Sequence, residues 1–230
     1  MFSISHYKSP PSERVLRQIV QITVDNVPAL HMVAPEPSNP LYPVYEWALV
    51  AEIQIYANRL GDHNPHRGGL VVATDTVEPN RVAGFLIYLE AENDLSTCAI
   101  CYMAVAADRR RRGIARALVS EVLSRRPRAT LTCAVDKVPY YEAMGFSVAG
   151  HRDNQITMTN WEYDDDIRIA VIDPAKLIQT PEVADLHQQL VQKYGLKAIR
   201  DAEKKQNRDM ARAATKAQAY AAARGAPAPA

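Results

Sequence analysis

The sequence predicts an α/β (α+β) fold: a mixed, mostly antiparallel sheet with helices on both faces, followed by a C-terminal helical extension. Three observations carry this. Cys101–Ala115, CYMAVAADRRRRGIA, joins an apolar strand-like run to a helix start through four consecutive arginines. Two apolar runs, 70–74 and 81–92, flank a turn at Glu78-Pro79-Asn80 and read as an antiparallel hairpin leading into that strand. Beyond Trp161 the composition shifts, and residues 195–230 hold 13 alanines and 8 Lys/Arg against 3 Asp/Glu. A chain of 230 residues can bury a proper core. The expected division is one domain over 1–160 and an appendage over 161–230.

Taken in order, Phe2–Tyr7 fits a first strand. A helix is expected from Ser12, its cap, to about Asn26, with Val15, Ile19 and Ile22 on one side. Residues 28–43 carry five prolines and read as loop. Pro43–Leu60 is apolar at Val44, Trp47, Leu49, Val50, Ile53, Tyr56 and Leu60, as a packed helix would be. After the hairpin and the arginine run, Gly113–Arg125 has helical spacing at Ile114, Ala117, Leu118 and Val122, and Pro127 ends it. Ala129–Val135 reads as a buried strand. Pro139–Phe146 reads as a short helix stopped by Gly145. A final hairpin, 146–150 and 155–160, closes the sheet. Further on, Ile167–Ile172 suits an additional strand, after three aspartates at 164–166. Thr180-Pro-Glu starts a helix with Val183, Leu186, Leu190, Val191 and Tyr194 on one face and Gly195 as its stop. That face needs a cover, either the main domain or another subunit, so a homodimer or larger assembly through 180–230 is one expectation. The last stretch is a strong helix former with hardly an apolar stripe until Met210 and Tyr220, expected as a solvated helix or a docking arm.

The chemistry centres on the arginine run. A helix N-terminus offers unpaired N–H groups and partial positive charge, a natural seat for phosphate. Gly113 lets the backbone approach an anion closely, and Ala115 keeps the approach clear. The arginines add positive charge and bidentate phosphate contacts.

Arg110-x-x-Gly113-x-Ala115, followed by the YYEAMGF segment of Tyr140–Phe146, resembles the paired signatures of the GNAT superfamily of N-acetyltransferases over about residues 70–160. The resemblance implies that acetyl-coenzyme A is the co-substrate and a primary amine of unidentified class the acceptor. By the same resemblance, the edge of the strand at Met103, Ala104 and Val105 pairs with the cofactor's amide-bearing arm. Backbone groups of Arg111, Arg112, Gly113, Ile114 and Ala115, with Arg110, hold the pyrophosphate, and Tyr141 is the general acid, its neighbour Tyr140 facing elsewhere. A phenol of pKa near 10 is protonated at neutral pH and can donate to a departing thiolate. The first two helices and their connecting loop form the acceptor wall, where Tyr42, Tyr45 and Trp47 are candidates, Trp47 with core packing as its stronger reading. One departure from the pattern is that the asparagine many relatives carry before the tyrosine is absent, with Ala134 and Lys137 in that region. The general base stays open between Glu90, Glu92 and a water relay.

Several classes are disfavoured. A formal charge of +1 argues against a general nucleic-acid or membrane coat. The arginines and basic tail are not interleaved with aromatics for base stacking. No run of 18 apolar residues occurs, and the N-terminus lacks a secretory layout, so a cytoplasmic location is expected. Cys98 and Cys101 have metal-knuckle spacing, but strand alternation puts them on opposite faces, so all three cysteines read as small buried hydrophobes and no metal is expected. His63 and His66 in a turn-rich loop leave metal binding as a minor alternative. The rival to an enzyme is a structural protein reusing the fold inside a larger assembly, such as a virion, and the intact Arg110–Ala115 motif and Tyr141 speak against it.

Overall fold

The computed structural model describes residues 1–31, 33–61, 67–162 and 167–226. The strands are β1 (Phe2–Tyr7), β2 (Gly68–Asp75), β3 (Val82–Glu90), β4 (Thr97–Val105), β5 (Arg128–Cys133), β6 (Ser147–Arg152) and β7 (Gln155–Thr159). They form one sheet in the order β1-β2-β3-β4-β5-β7-β6. Every neighbouring pair is antiparallel except β4 and β5, which run parallel. β3 is buried almost throughout, which suits its near-continuous apolar sequence VAGFLIYLE in a strand covered on both faces.

One face is covered by α1 (Glu13–Val24), α2 (Val27–Leu30) and α3 (Tyr42–Asn58). Their buried side chains Ile19, Ile22, Val27, Leu49, Ile53 and Tyr56 meet Leu70, Val72, Phe85 and Ile87 of the sheet. The other face packs α4 (Ile114–Arg125) and α5 (Val138–Glu142), through Ile114, Leu118, Val122 and Val138, on Val71, Leu86, Ile100 and Leu131. The expected layered sheet is therefore present. Ser12 has the extended backbone of an N-cap, but its hydroxyl makes no capping hydrogen bond. The proline-rich stretch read as loop contains the single turn of α2, with Pro28 in its first positions, where a missing N–H costs nothing.

Residues 167–172 do not form the expected strand. Their backbone partners are scattered rather than laddered. The Arg168 carbonyl accepts from Glu92 N–H at 2.8 Å, Arg168 N–H donates to Asn93 Oδ1 at 3.1 Å, and Ile172 N–H donates to the Tyr56 hydroxyl at 2.9 Å. Ile169 and Ile172 pack on the α1/α3 core. Ile169 and Ile172, with these scattered bonds, pin the segment as a strap against Tyr56 of α3 and the residues just after β3.

The C-terminal helices are α6 (Pro174–Ile178), α7 (Pro181–Tyr194) and α8 (Leu196–Ala223). At the start of α7, Thr180 spends its hydroxyl on the Leu177 carbonyl at 3.0 Å rather than on a cap. Leu186, Leu190 and Val191 of α7 are covered by Leu41, Val44 and Tyr45 of the main fold and by Ile199 and Ala202 of α8. Tyr194 alone of that stripe is left well exposed. α8 is neither solvated nor a free arm. It packs along β6 and β7, and Ala217 and Ala221 are buried in the main core beside Phe146 and Met158. Its stripe is Ile199, Ala202, Gln206, Ala217 and Ala221, while Met210 faces outward. Alanine makes this face because a side chain of one carbon lets a helix approach a sheet closely. Among the described residues no helix is long and apolar enough to cross a membrane. His63 and His66, Asp164–Asp166 and the last four residues of the tail lie outside the described residues.

Candidate active site

The site begins with a fault in a strand. β3 and β4 pair Ile87 with Tyr102 and Tyr88 with Ile100, so Cys101 has no partner opposite it and forms a bulge. The bulge shifts the phase of the side chains. Cys98, Ile100, Met103 and Val105 face the α4 core, whereas Cys101, Tyr102 and Ala104 face the α1/α3 core. The two cysteines thus lie on opposite faces, as alternation required; the alternation breaks just after them, where Cys101 and Tyr102 share a face. Pairing of β4 with β5 stops at Ile100 and Leu131, while β4 continues to Val105. Bent by the bulge, β4 parts from β5, and its last five residues turn one edge to a cleft rather than to a neighbouring strand.

That cleft is a cavity of about 880 Å³, within the range of ligand pockets. Its floor and sides include Met103, Ala104 and Val105 from β4, Arg110, Arg111, Gly113, Ile114 and Ala115 from the loop and α4, and Tyr141 from α5. Of the residues expected to hold the cofactor or act as acid, Arg112 alone does not line it and instead borders a small hollow with Met1, Phe2 and Asp75. Tyr140 was expected to face away, yet it also lines the cavity. It is 45% exposed, its ring edge-on to Tyr141 with centroids 5.3 Å apart. Tyr141 also packs edge-on to Phe146 at 6.2 Å, and burial pushes its hydroxyl well above the ordinary phenol range. It stays protonated through the neutral range and is equipped to donate a proton.

The four arginines divide their work. Arg109 points inward and pairs with Asp75 at 2.7 Å, Glu78 at 2.5 Å and Asp108 at 2.5 Å. Arg110 reaches the Asn26 Oδ1 at 2.5 Å, clasping the α1–α2 corner. Among the described residues Arg111 and Arg112 make no ion pair, and Arg111 holds a left-handed φ of +61°. Gly113 follows with φ +78°, and α4 starts at the next residue. No atom lies within 4 Å of where its side chain would be, so the α4 N-terminus opens directly on the cavity side. A left-handed residue just before a helix aims successive N–H groups at one point, the geometry of an anion nest.

Asp75 anchors this loop. It accepts from the Val77 and Glu78 N–H groups at 2.7 and 3.2 Å and from Arg109, and these bonds hold its carboxyl below the usual value of 3.8. A carboxylate with a depressed folded-state pKa stabilises the fold above its unfolded value, and that contribution is lost as pH falls through the folded value. Asp75→Asn is therefore expected to lower the melting temperature at pH 5 and above. The gap from the parent protein should narrow progressively below pH 3.8 in melts recorded across an acid series.

The opposite wall comes from Asn26, Pro28, Ala29, Leu30 and His31. The candidates Tyr42, Tyr45 and Trp47 do not line the cavity: Tyr42 packs toward the α1/α3 core and Tyr45 toward α7 and α8. The short α2 takes the wall position instead. Neither carboxylate proposed as base is at the site. Glu90 sits opposite Cys98, at the far end of β4 from Val105, and pairs with Arg126 at 2.5 Å; Glu92 lies beyond it, its N–H held by the strap. A half-buried carboxyl that the sequence reading passed over is Glu52 of α3. The Tyr56 and Tyr102 hydroxyls bond to it, and burial raises its pKa. Its helical position among apolar neighbours gave no warning of that triad.

Residues 66–148 match a family model described as an acetyltransferase (GNAT) domain. No curated protein sequence matches the chain. Among solved structures, the chain is similar to a putative GNAT-family acetyltransferase from Desulfovibrio desulfuricans, with 20% identity and a TM-score of 0.44 over 69% of this chain and 96% of that one. It is also similar to the PaiA N-acetyltransferase of Thermoplasma acidophilum in complex with coenzyme A, at 14% identity and TM-score 0.49 over 68% and 98%. A third is the ribosomal-protein-S18-alanine N-acetyltransferase of Escherichia coli, at 17% identity and TM-score 0.46 over 72% and 98%.

Proposed function

We propose that this chain, which carries a GNAT acetyltransferase domain over residues 66–148, transfers the acetyl group of acetyl-coenzyme A directly to a primary amine. The observation that carries the reading is the parting of β4 from β5 beside the left-handed Gly113 turn: one cavity joins an unpaired strand edge to an anion nest. A ligand with amides along its length and a pyrophosphate at one end needs both. The unpaired edge at Met103–Val105 would align its amides, as a neighbouring strand does. The N–H groups from Arg111 to Ala115 would bind the pyrophosphate, with Arg111 supplying charge from its free guanidinium. When bound, acetyl-coenzyme A brings an activated thioester, and this chain's residues orient it, hold the amine against it and move protons.

Tyr141 is the proton donor in this reading. It lines the cavity, and its phenol is protonated at neutral pH and so available to a forming thiolate. Tyr141→Phe should bind acetyl-coenzyme A as the parent does and slow transfer by about 100-fold, the scale of a lost general acid. Single-turnover release of coenzyme A thiol measures it, and unchanged turnover would remove Tyr141 from the role. The reading as a whole is tested by isothermal titration with acetyl-coenzyme A. One-to-one binding is the expected result. Absence of heat at two temperatures would leave the fold as a scaffold.

A further inference from the structure

Arg116 lies in the first turn of α4, three residues past Gly113, and lines the cavity. A helical side chain leans back toward the N-terminus of its helix, so this one is directed to the end where the left-handed turn opens. Its Nη2 donates to the Ala143 carbonyl, just past α5, at 2.9 Å, and among the described residues it makes no ion pair. A guanidinium carries five donors, so most of the fork is left for another acceptor. Burial raises the Tyr140 pKa and the charge of Arg116 opposes that rise, which places the guanidinium near another residue of the same wall. The charge is therefore moored to a carbonyl but not neutralised. Other cations of the wall are already committed. Arg109 is held by three carboxylates, Arg110 by Asn26, and Lys137 lies 3.9 Å from Asp136.

Resting on the acetyltransferase reading, we propose that Arg116 binds the 3′-phosphate of coenzyme A and so lets the chain tell coenzyme A from its dephospho form. Coenzyme A carries two kinds of anion on one ribose: the pyrophosphate through its 5′ carbon and a phosphomonoester on its 3′ carbon. A turn that seats the first therefore has the second within a few bonds, where a separate cation can meet it. Arg116 is that cation, about 4.5 Å further along the helix axis than Gly113. The two anions suit different partners. Backbone N–H groups aimed at one point suit the pyrophosphate, whereas a guanidinium fork matches a terminal phosphate in a bidentate manner. The bond to Ala143 helps, because a moored guanidinium loses less freedom on binding than a free one. Arg112, with its side chain at the other hollow, takes no part.

The test compares two ligands and needs no acceptor. Coenzyme A and 3′-dephospho-coenzyme A are each titrated by calorimetry into the full-length protein and its variants. The parent should hold coenzyme A about tenfold tighter, the scale of one charge-assisted contact at an exposed site. In R116Q that preference should shrink to about twofold or less, with the dephospho ligand bound as in the parent. R116K keeps the charge and loses the fork, so its preference should fall between the two. R111Q should weaken both ligands alike, since the pyrophosphate is common to them. A parent without the preference, a preference lost in R111Q but kept in R116Q, or an R116Q variant that weakens both ligands equally would overturn the assignment. Failure of the parent to bind either ligand would instead reject the acetyltransferase reading beneath it.

Discussion

Gly113→Glu is expected to abolish acetyl-coenzyme A binding while leaving the circular dichroism of the fold intact. Two effects add. The position holds φ +78°, where a side chain with a β-carbon costs about 1–2 kcal/mol. The space around it is open, so the new side chain would be accommodated and the strain is purely backbone. The larger effect is electrostatic: a carboxylate at the first turn of α4 would occupy the N–H groups reserved for phosphate and repel its charge. Gly113→Asn separates the two, because asparagine tolerates the left-handed conformation and carries no charge. It should bind more weakly than the parent but measurably. Normal affinity in the glutamate variant would locate the anion site away from this turn.

The second large effect lies far from the cavity. Ala217 is fully buried against the sheet, although the sequence around it looks like a solvated helix. Ala217→Glu would place an unpaired carboxylate in that contact, at a cost on the order of 3–5 kcal/mol. Against a total stability of about 5–15 kcal/mol, that is a large share. A drop in melting temperature of about 10–15 °C should follow for a chain of this size. The exposed neighbour Gln218→Glu should melt within a degree or two of the parent. Equal melting of the two variants would mean that α8 does not dock.

These cases mark where sequence and structure part. The helix start at Gly113, the hairpin and the short helix that carries Tyr141 were legible because glycine, proline and periodicity act locally. The phase break at Cys101 was not: every residue from Cys98 to Val105 is apolar, so no alternation existed to be broken. Alanine hid the docking face of α8 because it is both a helix former and a packing residue. The strap at 167–172 has strand composition, yet it lies where a tyrosine hydroxyl, and not a strand edge, receives its N–H. Glu90 and Glu92 were plausible as bases by type alone; the antiparallel pairing of β3 with β4 carries them to the wrong end.

α8 holds the Val33 carbonyl through Gln206 near its middle and Glu142, the neighbour of Tyr141, through Arg224 just past its end, at 2.5 and 2.6 Å. Eighteen residues of helix separate these fastenings, about 27 Å of rod. The two sides of the cleft are thus set by one ruler. If the proposed reading holds, spreading them for a bulkier amine would mean breaking a fastening or sliding the whole rod, while a narrow amine would ask for neither. Selection by acceptor girth would then be written in a helix that never touches the acceptor.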